Sequence, residues 1–133
     1  MVKFLDLSKQ YLEIKKEIDF EISNVMQESS FIGGKRVKKF EDNFSSFLDI
    51  PNCISVANGT DALEIALESL KLPKESEVIV PVNSWISSAE SVTRTGHKVI
   101  FCDVNTDDYL INVEKLKNKI SIRTSAIMPV HLF

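Results

Sequence analysis

Cys53-Ile54-Ser55-Val56-Ala57-Asn58-Gly59-Thr60-Asp61-Ala62-Leu63 is the stretch on which the fold turns. A short apolar run leads into Asn58-Gly59, and an amphipathic run from Thr60 to Leu70 follows. This pattern predicts a short buried strand over Ile54–Ala57, a tight turn through glycine, and a helix from Thr60 to Leu70. Two readings of the turn stand side by side. The first N–H groups of a helix lack internal partners and carry partial positive charge, and glycine lets the backbone approach an anion closely, so the turn suits a phosphate. Asn-Gly is also an ordinary turn signal, and Thr60 with Asp61 can simply cap a helix.

Downstream, the alternation continues. Glu77-Val78-Ile79-Val80-Pro81 reads as a strand, Trp85 to about Thr95 as a helix with Ile86, Ala89 and Val92 inward, and Lys98-Val99-Ile100-Phe101-Cys102 as another strand. Asn83-Ser84 is placed to cap the helix, and Gly96 to stop it. Asn105 to Asn112 is a polar loop, Val113, Leu116 and Ile120 mark a short helix, and Ala126-Ile127-Met128-Pro129-Val130 a fourth strand. Short strands, apolar on both faces and separated by helices, predict an α/β fold: a mainly parallel sheet with helices on both faces. In such sheets the ligand site lies at the carboxyl ends of the strands. Asn58-Gly59-Thr60, Asn83-Ser84-Trp85, Asp103 and His131 all follow strands directly, so they are candidates for one rim.

Upstream, two helices precede the sheet. Tyr11, Ile14, Ile18, Ile22 and Val25 recur at spacings of three and four, which predicts a helix from Ser8 to about Ser29-Ser30 after an extended lead-in over Met1 to Leu7. Phe31-Ile32-Gly33-Gly34 breaks it. A second helix spans about Lys35 to Leu48, with Val37, Phe40, Phe44 and Phe47 on a face expected to pack as core.

The 133 residues, with 44% hydrophobic and 26% charged content and a net charge of −3, describe a soluble globular chain of one domain's length. Lys35-Arg36-Val37-Lys38-Lys39 is the densest basic run and reads as a solvated helix face, so neither nucleic acid nor membrane is expected as a partner. Cys53 and Cys102 share no CxxC spacing and have no nearby His partner; they read as buried reduced thiols of a cytoplasmic protein, with no metal site. The chain stops straight after its last strand, which reads as a fragment of a longer protein.

Taken in order, Phe4-Leu5-Asp6-Leu7, Phe31-Ile32-Gly33-Gly34 before Val37-x-x-Phe40-Glu41, Asn58 to Leu63, Glu77 to Pro81, Asp103-Val104 and Arg123 to Leu132 resemble the DegT/DnrJ/EryC1/StrS family. These are pyridoxal 5'-phosphate-dependent sugar aminotransferases of fold type I, the aspartate aminotransferase superfamily. The resemblance covers essentially the whole chain and implies a division into an N-terminal helical segment, 1–50, and the first part of the cofactor-binding α/β large domain, 51–133. It implies that Gly59, Thr60 and Asp61 meet the cofactor phosphate, mostly through backbone N–H groups and the Thr60 hydroxyl, with the Asp61 charge turned away. It places Trp85 against the pyridine ring, where a flat polarisable indole suits a cationic heterocycle; the alternative is that this only tryptophan packs under its helix as core. Asp103 as the start of a turn and His131 as a satisfied core imidazole are the plainer readings of those two residues.

The family's reaction moves an amino group from an amino acid, usually glutamate, to a keto-sugar linked to a nucleotide, for cell-surface polysaccharide or deoxyaminosugar synthesis. The cofactor-bearing lysine comes later in the family's order than Phe133. The resemblance therefore implies no catalytic residue within the chain, and a chain inactive by itself. Members with histidine in place of that lysine act as dehydratases, and a catalytically dead binding or regulatory homologue is a third possibility. The family is homodimeric. By that analogy Phe31-Ile32-Gly33-Gly34 lies near the subunit interface; as residues alone they fit a helix–helix turn equally well.

Overall fold

Val78-Ile79-Val80 is the interior of the molecule, with all three side chains fully buried. The run is β-branched throughout, and branched side chains pack well on a pleated surface covered on both sides. The computed structural model describes residues 4–132. The chain divides into two compact units, Met1–Ser55 and Val56–Phe133. The expected lead-in over Met1 to Leu7 falls partly on residues 1–3, outside the described residues; Phe4 to Asp6 precede the first helix.

The first unit is helical. Helix α1 spans Leu7–Glu28; Asp6 caps it by accepting from the Lys9 N–H at 3.3 Å. Helix α2 spans Lys35–Phe47. Gly33 and Gly34 between them have φ of 61° and 85°, a left-handed backbone that glycine adopts without steric cost, so this stretch forms a helix–helix turn. Arg36 reaches back to Glu28 at 2.7 Å and Glu21 at 3.0 Å, and Lys38 pairs with Asp42. Lys35 also pairs with Glu28, so three of the four cations of the basic run are paired within their own unit. The guanidinium, with Lys35, holds the Glu28 carboxyl down to about 2. The expectation of a packed core here is corrected: neither helix has a buried residue, although Phe40 and Phe44 stack with centroids 5.5 Å apart. The helical period is as expected, but no second layer among these residues covers the stripe.

The expected strand over Ile54–Ala57 is also absent. A strand exists by pairing; among the described residues this run pairs with no strand, Ser55 N–H donates to the Glu41 carboxylate at 2.9 Å, and Ile54 is exposed. Cys53 is only partly buried, whereas Cys102 is buried; both thiols are free.

The second unit runs α3 (Gly59–Ser69), β1 (Glu77–Pro81), α4 (Ile86–Arg94), β2 (Lys98–Cys102), α5 (Val113–Lys117) and β3 (Thr124–Ile127). The three strands form a parallel sheet in the order β2-β1-β3. Val78 and Val80 face α3 and α4 and meet Leu67 and Val92; Val99 and Ala126, their neighbours in register, extend that face. Burial of each such side chain contributes about 1.5–3 kcal/mol. Ile79, Ile100 and Cys102 lie on the opposite face by alternation. There the Cys102 thiol approaches the carbonyl of Asn112, the residue that caps α5.

Two details of α4 differ from expectation. Its N-cap is Trp85, with no side-chain cap bond, rather than Asn83 or Ser84. Ile86 is exposed, and Ser88 and Ser91 are buried beside Val92. The buried face of α4 runs through Ser88, Ser91 and Val92, and Ile86 falls outside it.

Candidate functional site

At the carboxyl end of β1 the starts of α3 and α4 come together around an open cleft of about 640 Å³. Asn58, Gly59, Thr60, Trp85 and Ser87 line it, together with Val130 and Leu132. β1 leads into the start of α4, and α3, which packs beside α4, begins next to it, so the unbonded N–H groups of both helix starts gather there.

Asn58 is the N-cap of α3, and its side chain accepts from the Asp61 N–H at 3.0 Å. Ala62 N–H makes the first helical bond, to the Asn58 carbonyl. Among the described residues the N–H groups of Gly59 and Thr60 donate to nothing, nor do those of Ile86 and Ser87 at the start of α4. Among the described residues no charged side chain lines the cleft. An anion there would be met by helix-terminal N–H groups and hydroxyls alone, which is the chemistry helix starts offer to phosphate.

Gly59 is the first residue of α3 and does not have a positive φ; a Cβ built there would meet no atom within 4 Å. The turn therefore does not require glycine. The protein leaves open space at a position where a larger residue would fit. Thr60 is partly buried, and its hydroxyl lies 2.8 Å from that of Ser87.

Trp85 is 78% exposed, which overturns its reading as core. An indole normally buries a large area; this one stands on the wall of the cleft beside the free N–H groups. A phosphate on the α3 turn with a flat ring against Trp85 fits the residues present.

Asp61 does not line the cleft, its N–H is held by Asn58, and its carboxylate has no hydrogen bond or ion pair among the described residues. Asn83 is exposed, and Ser84 shares a 2.8 Å hydroxyl contact with Ser88. Asp103 follows β2 directly but does not line the cleft; it pairs with Lys115, 2.7 Å away, whose hydrogen bond holds its carboxyl below the usual range. His131 is exposed, not a core imidazole, although its neighbours Val130 and Leu132 reach the cleft. The residue that sequence reasoning missed is Ser87. A serine in a helical pattern carries no signal of its own, and its partner Thr60 is 27 positions away.

The fold has known counterparts. UDP-2-acetamido-2-deoxy-3-oxo-D-glucuronate aminotransferase of Pseudomonas aeruginosa is 37% identical over 133 residues, which is all of this chain and 37% of the relative. The crystal structure of S. venezuelae DesV in complex with a ketimine intermediate superposes with a TM-score of 0.93 at 32% identity, covering 99% of this chain and 36% of that one. E. coli GDP-4-keto-6-deoxy-D-mannose-3-dehydratase with bound hydrated PLP matches with a TM-score of 0.75 at 27% identity, over 81% of this chain and 29% of its own. The chain thus spans 29–37% of the length of these relatives. No helix among the described residues is long and apolar enough to cross a membrane. Residues 12–133 match the family model, and the chain belongs to the DegT/DnrJ/EryC1/StrS aminotransferase family.

Proposed function

We propose that residues 51–133 are the first part of the pyridoxal 5'-phosphate-binding domain of a sugar-nucleotide aminotransferase, with 1–50 its helical lead-in. The observation that carries this reading is Trp85, left exposed on the wall of a neutral cleft beside four unbonded helix-start N–H groups. Gly59 and Thr60 bind the phosphate through their N–H groups, and Thr60 adds its hydroxyl. Asp61 fixes the turn: its N–H holds Asn58, which leaves the two preceding N–H groups to the ligand. Trp85 orients the ring and keeps water from one face. The bound cofactor supplies an electron sink for amino transfer. The lysine that would carry it is not among these residues, so the chain alone is inactive.

The substrates in this reading are an amino-acid donor, glutamate first among them, and a keto-sugar nucleotide. The named aminotransferase and transaminase relatives support that class. A cytoplasmic homodimer completes the proposal, supported by the uncovered apolar residues of α1 and α2. A dehydratase of the same family is the second reading, supported by the dehydratase neighbour. The test is the full-length protein, incubated with cofactor, glutamate and a 3- or 4-keto nucleotide sugar. Cofactor absorbance, a borohydride-trapped adduct and an amino-sugar product support the proposal. A deoxygenated product supports the second reading, and absence of cofactor absorbance and of any adduct rejects both.

A further inference from the structure

We propose that Ser87 is a positioning residue that sets the direction in which the Thr60 hydroxyl offers its proton to an anion in the cleft; this rests on the phosphate reading above. The two hydroxyl oxygens are 2.8 Å apart and tie the first turn of α3 to that of α4. Both residues line the cleft. Neither hydroxyl has another hydrogen bond among the described residues, whereas those of Ser69, Ser91 and Thr93 donate to carbonyls of their own helices. Thr60 and Ser87 are thus withheld from the common local bond and directed at each other.

Each hydroxyl has one proton and two acceptor lone pairs. The contact uses one proton and has two orientations. With Thr60 donating to Ser87, Thr60 turns only lone pairs to the cleft and repels an anion. With Ser87 donating to Thr60, the Thr60 proton is free for the ligand, and the donated bond polarises it further. A phosphate dianion accepts hydrogen bonds and donates none, so its binding selects the second orientation. The Ser87 hydroxyl holds that orientation by giving its own proton to Thr60.

The test uses the full-length protein and two probes, pyridoxamine 5'-phosphate and pyridoxamine, which avoid a covalent link to lysine. Ser87→Ala is expected to weaken the phosphorylated probe about fivefold, the scale of one hydrogen bond, and to leave pyridoxamine unchanged. The phosphorus NMR signal of the bound probe should move. Ser87→Thr, which keeps the hydroxyl, should restore the affinity. On a Thr60→Ala background the Ser87→Ala change should cost less than about twofold, because the two act through one bond. An equal loss for both probes, or an undiminished loss on the Thr60→Ala background, overturns the inference. So does unchanged affinity in Ser87→Ala where Thr60→Ala weakens binding; the phosphate reading then stands without Ser87. If Thr60→Ala itself leaves affinity and phosphorus signal unchanged, the Thr60 phosphate contact fails, and the role of Ser87 fails with it.

Discussion

The two ends of β1 handle polarity in opposite ways. At the amino end, Glu77 is buried and fully engaged: Ser121 donates to it at 2.5 Å, and Arg123 approaches with Nε at 3.1 Å and Nη2 at 3.0 Å. At the carboxyl end, N–H groups are left unbonded, a tryptophan stands in solvent, and no ionised side chain lines the cleft. Buried charge without partners is costly, so the amino end is built for stability. Groups kept unpaired contribute nothing to folding and remain available to a ligand. The difference separates residues that hold the sheet from residues that serve the site, and substitutions at either end can break it.

The largest effect is expected in the core between the two ends. Ile79→Ala should lower unfolding free energy by about 2–5 kcal/mol in chemical denaturation, the usual loss for a fully buried aliphatic side chain. Trp85→Ala should leave stability within about 0.5 kcal/mol while weakening cofactor affinity roughly tenfold. A Trp85→Ala protein destabilised as much as Ile79→Ala would place the indole with the core and erase the contrast.

A smaller effect concerns the paired end. The Ser121 hydroxyl, and after it Arg123, hold the Glu77 carboxyl below its usual value of 4.5 against the opposing effect of burial. A folded-state value lower than the unfolded one means that Glu77 stabilises above about pH 4.5 and loses that contribution as pH falls through the folded-state value. Glu77→Gln should therefore differ most in stability from the native chain near neutrality, with the gap closing under acid. A gap that stays constant across the acid range would show that the Glu77 charge does not contribute.

The sheet was legible in the sequence where apolar runs were continuous and bounded. Glu77–Pro81 and Lys98–Cys102 are strands over their full expected spans. Ile54–Ala57 looked the same but found no neighbour, and local composition does not encode pairing. The last strand ends at Ile127, before Met128-Pro129, and begins at Thr124 rather than Ala126. The apolar stripes of α1 and α2 were legible as helices but not as exposed ones, because periodicity reports a face and not what covers it. Of the site, Trp85 was legible from its place after β1 and the α3 turn from its Asn-Gly helix start, although the strand expected before that turn did not form; the two meet in one cleft. The pairing of Asp103 was not: its partner Lys115 lies 12 positions further on. Ser87 was hidden for the same reason.

Gly59 provides the most direct test, because its chemistry separates the two readings of the α3 turn. It has ordinary helical geometry with open space where a Cβ would go, so alanine fits the unliganded protein. Gly59→Ala, measured for unfolding free energy and for pyridoxamine 5'-phosphate affinity in the full-length protein, should hold stability level or raise it by up to about 1 kcal/mol. Affinity should fall at least about tenfold, as the methyl group occupies space the phosphate needs. Unchanged affinity together with unchanged stability would mean that the turn is only a helix start, and would contradict the assignment of this cleft to the cofactor phosphate.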